Sequence, residues 1–212
     1  MAGQINLGSI AGDMIYQLCL RQDVNNIVEF GTWNGLGSTQ CVIKALKDSS
    51  SPKHFTSIEL YEDFYQLAKS NLKEDLKYVN LLNGTIVTHA DMDWFDHSAT
   101  LSSIHYGDFN DVQTAHATLW YAKDLSRIST AKMLISQIPS KIDLLILDGG
   151  EYTTYPEWLK LKDRTKMFVL DDTKFLKCRR IRQEMLNNAD YTVLHDDLND
   201  RNGFSVFINN HL

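Results

Sequence analysis

The chain is poor in the devices that small secreted proteins use to hold themselves together. Its 212 residues include three cysteines, Cys19, Cys41 and Cys178, odd in number, far apart and without a CxxC pair. That pattern argues against a disulfide framework or a thiolate zinc site and reads as reduced, partly buried thiols in a cytoplasmic protein. Proline is equally scarce, at three residues, so no Pro-rich linker divides the chain. No apolar run approaches the ~20 residues needed to span a bilayer. Residues 1–24 lack the basic start of a secretory signal, and Gly12-Asp13 interrupts their apolar residues. An excess of positive charge is missing too: 21 Lys and Arg face 27 Asp and Glu, for a net charge of −6. A general nucleic-acid binder is therefore not expected, and neither is a membrane partner.

What remains is an ordinary globular composition, 43% hydrophobic and 23% charged. A chain of this length buries roughly 70% of its unfolded surface and needs no covalent staple. Short β-like runs lie at Ile27–Phe30, His54–Leu60, Tyr78–Leu82, Asp143–Leu147, Lys166–Leu170, Tyr191–His195 and Phe204–Asn209. Helical spacing intervenes. Tyr61, Phe64, Ala68 and Leu72 make one stripe, with acids in its first turn and Lys69 and Lys73 later. Ile128, Ala131, Leu134, Ile135 and Ile138 make a second, ended by Pro139, and Phe175, Ile181 and Met185 a third. Alternating strands and helices predict an α/β fold: one Rossmann-like, doubly wound domain over 1–212 with a mostly parallel sheet. Only about eight polar residues separate the last two runs, too few for a crossover helix, so that pair should be antiparallel. Residues 1–23 read as an N-terminal helical segment. Residues 89–124, polar and aromatic without clean periodicity, read as an inserted lid of short helices.

The segment Ile27-Val-Glu-Phe-Gly-Thr-Trp-Asn-Gly-Leu-Gly-Ser-Thr39 carries most information. A strand runs into Gly31, Gly35 and Gly37, then into a helix near Ser38. Glycines there let the backbone adopt positive φ and approach a ligand closely. The spacing G-x-x-x-G-x-G is not the G-x-G-x-x-G of dinucleotide folds, so NAD is the weaker ligand. Glu29 would repel a pyrophosphate but suits an ammonium group. Glu59, 22 residues after Gly37 at the end of the second strand, stands where an acid accepts ribose hydroxyls or serves the following helix.

These residues resemble the class I S-adenosylmethionine-dependent methyltransferases over most of the chain. The resemblance implies a seven-stranded sheet with an antiparallel last strand. It also implies S-adenosyl-L-methionine as cofactor, held by Glu29, Gly31, Thr32, Trp33, Gly35, Gly37, Ser38, Thr39 and Asp148 around the methionine part, with Glu59 on the ribose. Gly84 and Thr85 match the adenine-side turn. An aromatic at Trp33 is similar to the catechol-type and sugar or antibiotic O-methyltransferases.

Asp148 ends the run Leu144-Leu-Ile-Leu-Asp148, and Asp171 and Asp172 end Phe168-Val-Leu-Asp-Asp172. Strand carboxyl ends gather ligands in such sheets, so the three carboxylates should converge. Their mutual repulsion calls for a cation or protons, and an oxygen-rich set suits Mg²⁺. The other reading keeps Asp148 on cofactor or acceptor and makes Asp172 a cap for the next helix. The resemblance departs at Glu151, where the catechol branch has a catalytic lysine. Glu151 is then a general base beside Asp148, or simply a first-turn acid.

Other clusters are discounted. Asp91, Asp93, Asp96 and His97 lack metal-site spacing and read as a solvated face. Trp94, Phe95, Trp120 and Tyr121 wall an acceptor pocket or form the lid's own core. The run Lys174, Lys177, Arg179, Arg180 and Arg182 reads as a solvated helix face, and His195–Asp200 as a polar hairpin turn. The expected activity is methyl transfer to an oxygen of a small polar acceptor, aided by Mg²⁺. Its rivals are metal-independent N-methyl transfer and a cofactor-binding regulatory subunit. A homodimer would accord with the resemblance.

Overall fold

The computed structural model describes residues 5–95 and 111–212, with the backbone only over 111–118. Seven strands form one sheet: β1 Asn26–Phe30, β2 His54–Glu59, β3 Asn80–Asn83, β4 Ile142–Leu147, β5 Thr165–Asp171, β6 Tyr191–Asp197 and β7 Phe204–Asn209. The strand order is β3-β2-β1-β4-β5-β7-β6. All pairings are parallel except those of β7, which runs antiparallel to both β5 and β6. The helices are α1 Ile10–Leu20, α2 Ser38–Asp48, α3 Glu62–Leu72, α4 Asp111–Ile128, α5 Thr154–Leu161 and α6 Leu176–Leu186. None of the described helices is long and apolar enough to cross a membrane.

Strand alternation sorts the core onto two faces. Leu145 and Leu147 of β4 join Val28 and Phe30 of β1 in one apolar layer beneath α5 and α6. Leu144 and Ile146 join Ile27 and the buried faces of α1 and α2 in the other. Every residue of β4 is buried, as its unbroken apolar run requires of a strand covered on both sides. Cys19, Cys41 and Cys178 are free and buried within these layers.

Two expectations fail for identifiable reasons. The stripe from Ile128 to Ile138 is not one helix: Ile128 ends α4 and Ile135–Gln137 is a 3₁₀ turn. Lys132–Leu134 instead run beside Thr85, whose N–H donates to the Lys132 carbonyl at 3.0 Å and whose carbonyl accepts from Leu134 at 2.8 Å. That bridge, centred on Met133, interrupts helical bonding, so the crossover helix lies earlier, as the 18-residue α4. That helix occupies much of the stretch expected to hold short helices. Before it, Ala90–Trp94 makes a single 3₁₀ turn. Asp96 and His97 lie outside the described residues. The third strand begins at Asn80 rather than Tyr78, because Lys73–Tyr78 is itself a 3₁₀ turn.

Candidate functional site

Register alone assembles a row of chemistry-bearing residues along one edge of the sheet. Phe30 is level with Ile58 on β2 and with Leu147 on β4, and Leu147 is level with Leu170 on β5. The residues one step further, Glu59, Gly31, Asp148 and Asp171, therefore stand side by side at the carboxyl ends. The chain reverses its direction of sheet growth between β1 and β4, and α/β sheets open a crevice at that point. A cavity of about 530 Å³ lies there, the size of a cofactor or metabolite site. Gly31, Trp33, Glu59, Gly84, Asp148, Asp171 and Asp172 are among its lining residues.

The glycine turn is shaped by contact with the neighbouring strand as much as by any ligand. Gly31 has φ +94°, and a Cβ there would meet the Asp148 carbonyl at 2.0 Å. Trp33 follows at φ +48°, an uncommon conformation for a bulky residue, and leans edge-on against Phe64. Its N–H donates to Glu59 Oε2 at 2.8 Å, and the Tyr61 N–H donates to Oε1 at 2.9 Å. Glu59 thus joins the turn to the start of α3 while its carboxylate faces the cavity. Burial pushes it up to about 7 against those amide bonds. The first turn of α2 has no side-chain cap, and Gly37 and Ser38 at its start line the cavity.

Glu29 does not join them. It shares a strand face with Ile27, which points it under α2 instead of into the cavity. Its carboxylate accepts from Ser38 Oγ at 2.6 Å, Thr39 Oγ1 at 2.7 Å and Ser57 Oγ at 2.5 Å. Thr32 Oγ1 lies 2.5 Å from Ser57 Oγ and extends the network to the turn. Burial raises the Glu29 pKa while the three hydroxyls oppose the shift. Glu29 fixes the turn from behind.

At the other end of the row, the three aspartates meet as expected, with carboxylate oxygens within 4.8 Å of one another. They are not alone. Lys177, in the first turn of α6 and only 6% exposed, places Nζ 2.6 Å from Asp148 Oδ1 and 2.6 Å from Asp172 Oδ2. Burial disfavours that charge, but Asp148, Asp172 and Asp171 together hold the ammonium well above the usual lysine range. Arg201 approaches Asp171 Oδ2 at 3.2 Å, and Asn202 Nδ2 donates to Asp172 Oδ1 at 2.9 Å. Both come from the β6–β7 hairpin. Asp172 itself sits at φ +54°, a second strained backbone position in the cavity wall. Burial pushes Asp148 up to about 8 despite the lysine. It lowers nothing for Asp172, whose carboxyl falls below the usual range because Lys177 and Asn202 outweigh its burial.

The floor between the two ends is also acidic. Gly149 and Gly150 pack so closely that added Cβ atoms would meet Glu157 Oε2 at 3.0 Å and Asp124 Oδ2 at 3.1 Å. Burial raises Glu157 to about 8 and Asp124 to about 6. Asp124 accepts from the Tyr61 hydroxyl at 2.6 Å.

Neither a protein-family model nor a curated protein matches the sequence. Solved structures do match. A Staphylococcus aureus protein provisionally assigned as a caffeoyl-CoA O-methyltransferase aligns with TM-score 0.60 at 16% identity, over 98% of this chain and 86% of its own. An O-methyltransferase from Bacillus cereus, solved with S-adenosylhomocysteine, gives 0.58 at 13% identity over 98% and 84%. TomG of Streptomyces achromogenes, an O-methyltransferase involved in tomaymycin synthesis and solved with S-adenosylmethionine, gives 0.55 at 14% over 93% and 78%. The chain has the class I methyltransferase fold.

Within the methyltransferase fold, the cavity takes in Gly31, Thr32, Trp33, Gly37, Ser38, Glu59, Gly84, Asp148, Asp171 and Asp172 of the expected site. Glu29, Gly35, Thr39, Thr85 and Glu151 are not among its lining residues. Thr85 spends its backbone on the 132–134 segment, and its hydroxyl accepts from the Val87 N–H. Glu151 caps α6, its Oε2 accepting from the Lys177 N–H at 3.0 Å. The Asp172 carboxylate is engaged by Lys177 Nζ and Asn202 Nδ2 instead of capping α6. Trp94, Phe95 and Tyr121 pack against Tyr152 or Tyr155, and Trp120 against the same apolar layer, all outside the cavity lining.

The basic run expected on a solvated face is solvated only in part, with Arg180 exposed and Lys177 not. Lys177 is buried, Arg182 pairs with Asp196, and the Arg180 guanidinium lies 4.3 Å from the Tyr155 ring centre.

The resemblance to catechol-type O-methyltransferases implies Mg²⁺ at this trio, so its fit to that ion can be tested. Mg²⁺ demands near-octahedral oxygen ligands and sheds its waters reluctantly. Asp148 and Asp172 already close on one ammonium, and Asp171 faces a guanidinium. An ion at this point would have to displace the lysine. As arranged, the trio does not fit Mg²⁺.

Proposed function

We propose that the protein transfers a methyl group from S-adenosyl-L-methionine to an oxygen of a small polar acceptor. The observation that carries this reading is the cavity at the β1–β4 switch point of a methyltransferase fold, walled by the glycine turn, Glu59 and Asp148. The methionine carboxylate of the cofactor suits the uncapped first turn of α2, and its ribose suits Glu59. Gly84 offers a side-chain-free wall for a purine.

The sulfonium methyl is already activated, so the protein has little to do beyond alignment and proton removal. An acceptor hydroxyl oxygen attacks the methyl carbon, and the carbon–sulfur electrons return to sulfur as a neutral thioether. The hydroxyl proton passes to Asp148, whose raised pKa of about 8 equips it to accept one near neutrality. Glu151, engaged in capping α6, is not needed for that step.

One observation favours a second reading, transfer to an amine nitrogen. Glu59, Asp148, Glu157, Asp171 and Asp172 all line the cavity, with Arg201 the cation among the lining residues. An acidic wall attracts a protonated amine. A cytoplasmic location accords with three buried free thiols.

Thermal-shift titration with S-adenosylmethionine and S-adenosylhomocysteine, with NAD as control, tests the cofactor. A ligand at 100 times its dissociation constant adds about 2.7 kcal/mol, a shift of several degrees for a domain of this size. Saturable stabilisation by both sulfur nucleosides but not by NAD is expected. No shift from either removes the reading. Acceptor screens with alcohols and amines then separate the two acceptor classes.

A further inference from the structure

Resting on that methyl-transfer reading, we propose that the Lys177 ammonium is the resident cation of the Asp148–Asp171–Asp172 cluster and stands where a divalent metal would otherwise bind. Three facts carry it. The ammonium sits 2.6 Å from a carboxylate oxygen of both Asp148 and Asp172, within a cluster whose oxygens span no more than 4.8 Å. It is delivered by the first turn of a helix that Glu151 caps at the same residue, through the Lys177 N–H, so backbone and side chain are both fixed. Arg201 and Asn202, from a separate hairpin, converge on the same group and take one further oxygen each, Asp171 Oδ2 and Asp172 Oδ1, while Asp171 Oδ1 is buried without a hydrogen-bond partner.

An ammonium differs from Mg²⁺ in what it can do. It neutralises and orients carboxylates through three directed hydrogen bonds, but it offers no open coordination position for an acceptor oxygen. Lys177 is therefore a positioning residue: it fixes Asp148 and Asp172 and leaves the proton to be taken by a carboxylate. Glu151, at the position of the catechol-branch lysine, contributes by holding the helix that carries the replacement cation.

Mn²⁺ titration of the purified full chain, freed of metal and followed by electron paramagnetic resonance, provides the test. The wild type should leave the signal of free Mn²⁺ unchanged, with or without S-adenosylhomocysteine, and any methyl-transfer activity should survive chelation. Lys177→Met should gain saturable Mn²⁺ uptake, because it vacates the cluster and leaves the carboxylates uncompensated. A purely structural lysine would not produce that gain. Saturable uptake by the wild type that Asp172→Asn abolishes would overturn the proposal, as would a folded Lys177→Met chain that takes up no Mn²⁺. Should Lys177→Met fail to fold, the wild-type titration decides alone. A chain that ignores both sulfur nucleosides yet behaves this way toward Mn²⁺ would overturn the methyl-transfer reading and leave the lysine's place standing.

Discussion

The two ends of the cavity solve the same problem by different chemistry. At the β1–β2 end, Glu29 and Glu59 are buried carboxylates satisfied by neutral donors: three hydroxyls for one, two backbone N–H groups for the other. At the β4–β5 end, Asp148, Asp171 and Asp172 are satisfied by charge, from Lys177 and Arg201. Neutral donors leave a carboxylate free to hold a proton or accept from a ligand. A cation fixes a carboxylate in place and favours its ionised form: it prevails at Asp172, which is lowered, while burial prevails at Asp148, which stays raised. The first arrangement suits a pocket that grips a polar cofactor, the second a cluster that must keep its geometry while a bond changes nearby.

The sharpest way to break this contrast is to remove one anchor at each end. Lys177→Met strips the charged end of its cation, and breaking a buried pair from one side costs about 3–5 kcal/mol. Glu29→Ala removes an acceptor shared by neutral hydroxyls and leaves no buried charge behind, and Ser57 keeps Thr32 as a partner, so a smaller loss of about 1–3 kcal/mol is expected. Urea denaturation of both variants checks the order; equal losses would mean that the two ends are not built differently.

Titration sharpens the contrast with a smaller effect. Glu59, Asp124 and Glu157, held without a cation, have pKa values of about 7, 6 and 8, each raised chiefly by burial. The folded chain therefore binds more protons than the unfolded one between the ordinary carboxylate range and about pH 8. Stability must then fall as pH rises through that window. The ligand-free chain is expected to have a lower denaturation midpoint at pH 8 than at pH 6, with a shallower fall in Glu157→Gln. A midpoint that rises with pH would contradict the burial of these groups as neutral acids.

The same contrast governed what could be read before the fold was known. The β1–β2 end is contiguous: Ile27 to Thr39 and Glu59 span one β-α-β unit, and its glycine spacing and terminal acid carry their meaning locally. Even there, strand alternation would have placed Glu29 on the face of Ile27, and Ser38, Thr39 and Ser57 as its hydroxyl partners needed a third dimension. The β4–β5 end draws on residues 148–151, 171–177 and 201–202, which only the sheet brings together. The aspartates were legible because strand ends announce themselves. Their need for a cation was legible too, but Lys177 was hidden in a basic run that looked solvated. Its one signal was position: five residues past Asp172, in the first turn of a helix leaving the strand. The crossover helix was misjudged because the Ile128–Ile138 stripe mimics helical spacing, while long-range pairing with Thr85 dictates its backbone.

The hairpin that supplies Arg201 and Asn202 also gives the site an order in time. A polypeptide is made from its N-terminus, at roughly 5–20 residues per second, and folds as it emerges. The glycine turn, Glu59 and the three aspartates all leave the ribosome before residue 201. Until the hairpin docks, Asp171 lacks its guanidinium and Asp172 its amide partner. A chain translated only as far as β5 therefore lacks part of the cluster, and only a chain translated through β7 holds all of it. Translation through the β6–β7 hairpin is a condition for the site's assembly.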